Sequence, residues 1–298
     1  MPMLCRAACS GDLPRLQALG PATWWVAAAR GAPDPGNGGV TVQALVARDG
    51  EARIWLVGSG PTPAYGARLA CAIQAATGAA VTDIVDTRAA PELAMGSVAF
   101  AGARIWALPD VMRVMQARCA TCQANLKAEI GAVAGASLVP ASIRAPTRSV
   151  GEGDRGSVGP FDWIAFERAP GERVLVLRHR ADHVVVAQGL VWAGDVPDLR
   201  NLSTAMLERS LVALEDWIGS SDALLGEQGG VADARALRRE LDYLAALRGV
   251  VAPALARGDL LGQDALELPP YAALPSYAQR HPLNVQHLWA ELEPGLFR

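Results

Sequence analysis

The chain of 298 residues is 51% hydrophobic and carries 27 Lys and Arg against 30 Asp and Glu, a formal net charge of −3. That apolar content is enough for a sizeable core and excludes a mainly disordered chain. The near-neutral balance leaves no global basic field and excludes nucleic acid as the principal partner.

Residues 1–20 read as a short helical extension, and residues 21–298 as a single domain. Arg6, Gly11, Asp12, Pro14 and Arg15 interrupt the start, so no continuous apolar signal region forms and a cytoplasmic protein is expected. From Thr23 the β-branched and aromatic content predicts strands at 23–26, 40–46 and 52–57. Gly36-Asn37-Gly38-Gly39 and Asp49-Gly50 punctuate them as turns. Leu69 and Ile73, four apart, mark a helix over 63–77; a strand follows at 81–85, a polar loop at Thr87 and a helix over 111–130.

The Gly-, Ser-, Pro- and Arg-rich stretch 140–160 predicts a long surface loop. Strands resume at 174–177, 184–186 and 190–192. Helical periodicity then returns through Leu207, Leu211, Leu214 and Trp217, and again from Leu237 to Val251. Two halves of strands, helix, strand and helix predict two facing sheets with helices outside, an α/β fold of the αββα sandwich type. No apolar run reaches the roughly 18 residues of a membrane span.

Several segments, taken together, resemble a known family. Asn37-Gly38-Gly39, Gly58-Ser59-Gly60-Pro61-Thr62, Asp86-Thr87-Arg88-Ala89-Ala90-Pro91-Glu92-Leu93, Ala193-Gly194-Asp195 and His281-Pro282-Leu283-Asn284 lie in the order of conserved turns of the metallo-β-lactamase superfamily. Within it the chain resembles the zinc-hydrolase-like proteins of quinoprotein and sulfur-oxidation systems. The resemblance runs from about Trp24 to Glu293 and implies an αββα sandwich with a dinuclear zinc site.

It also implies which positions would hold the metal. The first motif of the family, Thr-His-x-His-x-Asp-His, falls on Thr87 to Leu93, so its ligands become Arg88, Ala90, Glu92 and Leu93. The third ligand of the first zinc falls on Arg178 or His179, the bridging carboxylate on Asp195 and the C-terminal ligand on Gln228. Ala90 and Leu93 have no donor atom and Arg88 brings a positive charge, whereas catalytic zinc takes about three His, Cys or carboxylate ligands. The expectation is a catalytically degenerate binding or accessory protein with no cofactor, its former metal positions forming a pocket and Arg88 paired with Glu92 or Asp195. The partner, protein or small molecule, and the oligomeric state stay open. The alternative is a metal-dependent hydrolase, with zinc as cofactor, built from Glu92, Asp195, His179 and Gln228.

The five cysteines, Cys5, Cys9, Cys71, Cys119 and Cys122, do not read as a disulfide framework. Cys119 and Cys122 form a Cys-x-x-Cys pair, which is either a thiol-redox module or incidental to a helix; no helix start lies beside it to depress a thiol pKa. Ser59 lacks a placed base and reads as a tight-turn residue.

Overall fold

The computed structural model describes residue 9 and residues 11–140, 144–261 and 266–297. Strand alternation sets its layers. In β3 (Ala44–Asp49) and β4 (Arg53–Val57), Leu45, Ala47, Trp55 and Val57 enter one apolar cluster, while Ala44, Val46, Ile54 and Leu56 enter another. Period-two side chains buried on both faces require a sheet covered on both sides.

The first sheet has seven strands in the order β1-β2-β3-β4-β5-β6-β7. Besides β3 and β4 it contains β1 (Leu16–Ala18), β2 (Thr23–Val26), β5 (Val81–Val85), β6 (Arg104–Ala107) and β7 (Arg148–Ser149). Pairing is antiparallel from β1 to β4 and parallel from β4 to β7. A parallel neighbour needs a crossover, and α1 (Pro63–Thr77) supplies it between β4 and β5. Thr62 caps α1 by accepting from the Tyr65 N–H, Pro63 opens it, and Gly78 closes it in a left-handed conformation.

The second sheet runs β13-β12-β11-β10-β9-β8. Its members are β8 (Arg155–Val158), β9 (Phe161–Ala169), β10 (Glu172–His179), β11 (Val184–Val186), β12 (Ala223–Leu225) and β13 (Val231–Ala232). Here too the faces divide. Leu175, Leu177, Val184 and Val186 meet Trp55 and Leu45 of the first sheet, whereas Val174, Val176 and Val185 turn outward. The outward face is covered by α4 (Thr204–Trp217), α5 (Arg235–Ala256) and α6 (Tyr277–Leu292), and α1 covers the outer face of the first sheet through Leu69 and Ile73. Two short or lateral helices, α2 (Pro91–Ala94) and α3 (Pro109–Ala134), complete the sandwich; Met115, Cys119 and Leu126 of α3 join the inter-sheet core. The molecule is the expected αββα sandwich. Among the described residues no helix is long and apolar enough to cross a membrane.

Local expectations fare unevenly. Leu16–Ala18, expected to be helical, is an edge strand paired with β2, and the rest of that stretch up to residue 10 lies outside the described residues except Cys9. The third strand begins at Ala44 rather than Val40, because Asn37 and Asp34 fold the preceding segment into a side-chain-capped loop. The supposed loop 140–160 contains β7 and β8 among its described residues. Leu190–Trp192 is not a strand: the Leu190 and Val191 N–H groups both bond to the Ala187 carbonyl in a turn, leaving Trp192 one bridge to Gln228. Cys9 and Cys71, not paired in the sequence reading, are joined in a single disulfide across 62 residues.

One polar cluster ties the two sheets together beside the site. Thr87 Oγ1 donates to Gln188 Oε1 at 2.6 Å, and Gln188 Nε2 donates to the Gln43 carbonyl at 2.6 Å. The Leu175 N–H bonds to the Thr87 carbonyl at 2.9 Å. Thr87, Gln188 and Gln43 are buried, and this pairing satisfies groups that would otherwise be costly inside the core.

Candidate functional site

Chain direction places the site. The carboxyl ends of β5, β9, β11 and β12 lie at the same edge of the sandwich; Arg168-Ala169 end β9, and Thr87-Arg88, Gln188-Gly189 and Gly226-Glu227 follow the other three. Arg88 donates from Nη2 to Glu227 Oε1, and Glu227 Oε2 accepts from the Gly189 N–H at 2.8 Å. The Arg88 and Glu227 side chains are only 16% and 8% exposed, so this is a buried, charge-assisted contact. Arg168 lies alongside. Gly189, at φ +77°, has its Cα against both arginines: a Cβ there would fall 2.6 Å from Arg88 Cδ and 2.7 Å from Arg168 Nη1. Two long cations fit at this point because residue 189 has no side chain.

Two adjoining cavities, of about 350 and 290 Å3, open over this group and share Arg88, Pro91, Glu92, Cys122, Arg168 and Asn201. Burial opposes the Arg88 charge, but Glu227 and Glu92 more than offset it and hold the guanidinium above its ordinary range. Arg168 is driven the other way, down to about 10, first by burial and then by the neighbouring Arg88 charge. Burial raises the Glu92 carboxyl above its usual range against the pull of Arg88.

Solved structures with this architecture include metallo-β-lactamases. FIM-1 from Pseudomonas aeruginosa, in a mono-zinc form, superposes with a TM-score of 0.63 at 12% identity, covering 80% of this chain and 97% of that one. The enzyme from Hirschia baltica gives 0.62 at 12% identity over 78% and 98% of the two chains. That from Pontibacter korlensis gives 0.59 at 11%, over 78% and 99%. This chain has the metallo-β-lactamase fold. No family model and no curated protein matches it. At such low identity the likeness carries the fold, and the chemistry of this metallo-β-lactamase-fold cleft must be read from its own side chains.

Of the residues singled out from the sequence, the structure brings Arg88, Ala90, Glu92 and Gln228 to the walls of the cavities. Gln228 is committed there as a brace: its amide donates to the Gly31 carbonyl and accepts from the Gly31 N–H and from Arg280 Nη2. Leu93 is fully buried in the inter-sheet core, where its carbonyl accepts from the Ser59 and Gly60 N–H groups. Ser59 Oγ also donates to the Leu93 and Ala94 carbonyls, so Ser59 holds the loop after β4 against α2.

The remaining positions lie elsewhere. Arg178 and His179 end β10, which runs antiparallel to β9, so they sit at the opposite edge of the sheet from Arg168. Arg178 stacks on Trp217 and pairs with Asp222 at 2.7 Å; buried His179 packs edge-on against Phe161 and accepts from the Asp182 N–H. Asp195 accepts from the Val196 and Ser276 N–H groups and from Ser276 Oγ at 2.7 Å, and lines a separate cavity with Glu240 and Tyr243. The partner of Arg88 is therefore Glu227, not Glu92 or Asp195. Glu92 and Gln228 share one cavity, whereas Asp195 opens on another and His179 lies at the opposite sheet edge, so the four do not line a single cavity.

Arg168 and Glu227 are the residues that sequence reasoning missed. The signal for Arg168 was a hairpin: alternating Phe161, Trp163 and Phe166, the turn Pro170-Gly171, then Val174 to Leu177 would have returned its end to the edge of Thr87. Glu227 was within the Leu225-Gly226-Glu227-Gln228-Gly229 segment, one residue from the position chosen.

A zinc pair needs His, Cys or carboxylate donors around a common point. Here two guanidiniums and one carboxylate already bonded to both an arginine and a backbone N–H converge instead. Among the described residues no group of three His, Cys, Asp or Glu side chains comes together as a metal cage. These residues do not fit zinc. Cys119 and Cys122 lie mid-helix in α3, and burial first, then neighbouring thiol and carboxyl groups, pushes Cys119 up to about 11 and raises Cys122 as well. Thiols held up in this way are poor nucleophiles, so the geometry does not favour a redox pair.

Proposed function

We propose that this protein is a catalytically degenerate member of the metallo-β-lactamase-fold proteins, and that its cleft binds a small molecule directly through side chains rather than through a dinuclear zinc site. The observation that carries this reading is the buried Arg88–Glu227 pair with Arg168 beside it, at the edge where β5, β9, β11 and β12 deliver their loops. A cation placed there would have to displace or face two guanidiniums, and a buried ion pair is not readily broken, because removing one partner strands the other charge. The two cavities, of about 350 and 290 Å3, are large enough for a small ligand. The Cys9–Cys71 disulfide supports an oxidising compartment over the cytoplasmic one expected from sequence.

Elemental analysis of protein purified without a metal-affinity tag or chelator tests this reading. Less than about a tenth of an equivalent of zinc, iron or manganese per chain is expected. One or two equivalents, lost on Glu92→Ala or Glu227→Ala substitution, would overturn it.

A further inference from the structure

Six arginines line the two cavities, and five of them have a carboxylate within 4.0 Å. Arg88 pairs with Glu227, Arg118 with Glu172 at 3.5 Å, Arg173 with Asp110 at 2.6 Å, Arg200 with Asp198 at 2.6 Å, and Arg280 with Asp195 at 3.9 Å. Arg168 is the exception among the described residues. Among the described residues its one bond is from Nη1 to the Gly189 carbonyl at 3.4 Å; its enclosed Nε has no acceptor, as is also so for Arg88 and Arg280.

A partly buried arginine packed beside another arginine, with no carboxylate in contact, destabilises the folded protein unless something supplies the contact. A site that tolerates such a cost is typically one where a ligand repays it. We infer that Arg168 is the anchor of a binding site for a small monocarboxylate, whose carboxylate takes the unmatched guanidinium as a two-point hydrogen-bonding partner inside the shared cavity. The inference rests on the reading of the cleft as metal-free.

The wall charges favour one negative charge on the ligand over two. Arg88 is already paired with Glu227, so Arg168 is the one guanidinium of the cavity walls with no carboxylate within 4.0 Å among the described residues. Glu92 and Glu129 on the cavity wall, neither of them in an ion pair, stand against a second negative charge such as that of a phosphate dianion. A guanidinium fork matches the planar carboxylate in shape as well as charge. The rest of the cavity wall, with Ala89, Ala90, Pro91, Val111 and Val114, gives an apolar surface for the body of the ligand.

The test is calorimetric titration of the full chain with acetate, benzoate and inorganic phosphate at constant ionic strength maintained with chloride. Benzoate or acetate is expected to bind saturably and at least about tenfold more tightly than phosphate. Arg168→Gln should weaken carboxylate binding about tenfold or more, and Arg168→Lys, which keeps the charge but not the fork, should weaken it less. Without ligand, Arg168→Gln should melt no lower than the wild type, which separates lost binding from lost folding. Absence of binding by both carboxylates, wild-type affinity in both variants, or tighter binding of phosphate would each overturn the inference. Zinc measured on the same preparation keeps the two readings apart. Stoichiometric zinc would overturn the proposed function, whereas a zinc-free protein that ignores carboxylates would overturn only the Arg168 site.

Discussion

Arg88 stands in contact with Glu227, with Glu92 nearby and a second arginine packed against the same glycine, so each charge in the cleft constrains the others. Removing Glu227 would leave Arg88 and Arg168 as adjacent buried cations. Glu227→Gln is therefore expected to destabilise the protein by about 3 kcal/mol, read as a shifted urea midpoint with an unchanged slope. Replacing Arg88 as well, in Arg88→Met/Glu227→Gln, should recover much of that loss because the Arg88 charge is no longer stranded beside Arg168.

Two other carboxyls act on stability through protonation. Asp86 and Glu240 are fully enclosed, and burial pushes each up to about 8 despite Arg144 near the first and a Trp192 N–H and Arg280 near the second. In the unfolded chain both release their protons near pH 4. Between about pH 4 and 8 the native state therefore holds protons that the unfolded state has lost, and stability falls as pH rises through that window before levelling off. At the acid end Asp83, Asp110 and Asp198, held below their usual range by arginine partners against the opposing effect of burial, lose their contribution as they are protonated. Melting temperature is thus expected to peak at about pH 4 and to fall from there towards pH 8. Asp86→Asn should flatten the alkaline decline; an unchanged profile in that variant would rule out Asp86 as its source.

At the scale of elements, the β9–β10 hairpin fixes which side chains reach the cleft. Its antiparallel register sets Arg168 and Glu172 at one edge and Phe161 and His179 at the other. His179 therefore stands a strand's length from Arg168, although Leu175 and Leu177 lie in the strand that the sequence predicts. The β-branched runs of β4, β5 and β11 were legible because both their faces are buried and each run is bounded by turn residues. The short edge strands β1, β7 and β8 were not, since exposed Arg148, Ser149 and Arg155 carry no apolar pattern. Helices α4 and α5 announced themselves through leucines on one face. The Cys9–Cys71 disulfide was illegible in spacing, because 62 residues of strand and helix separate the two. It ties the segment before β1 to α1, and Cys71→Ser is expected to cost about 3 kcal/mol under non-reducing conditions, with no effect once the wild type is reduced.

Across the whole molecule, the order of strands and helices determined the αββα sandwich, and metallo-β-lactamase structures share it over most of their length. The cleft was only partly legible, because it is assembled from loops far apart in the chain whose convergence depends on strand register. Arg88, Ala90, Glu92 and Gln228 were found from one motif and one turn, while Arg168 and Glu227 required the fold. The Thr87–Gln188–Gln43 hydrogen bonds tie together the loops that reach this edge from both sheets.

The most direct test is a crystal structure of the protein grown with excess zinc, with anomalous scattering recorded at the zinc edge. The Arg88–Glu227 contact is expected to remain intact, with no anomalous peak between Arg88, Arg168 and Glu227. A zinc peak in the cleft with Arg88 swung away from Glu227 would contradict the account.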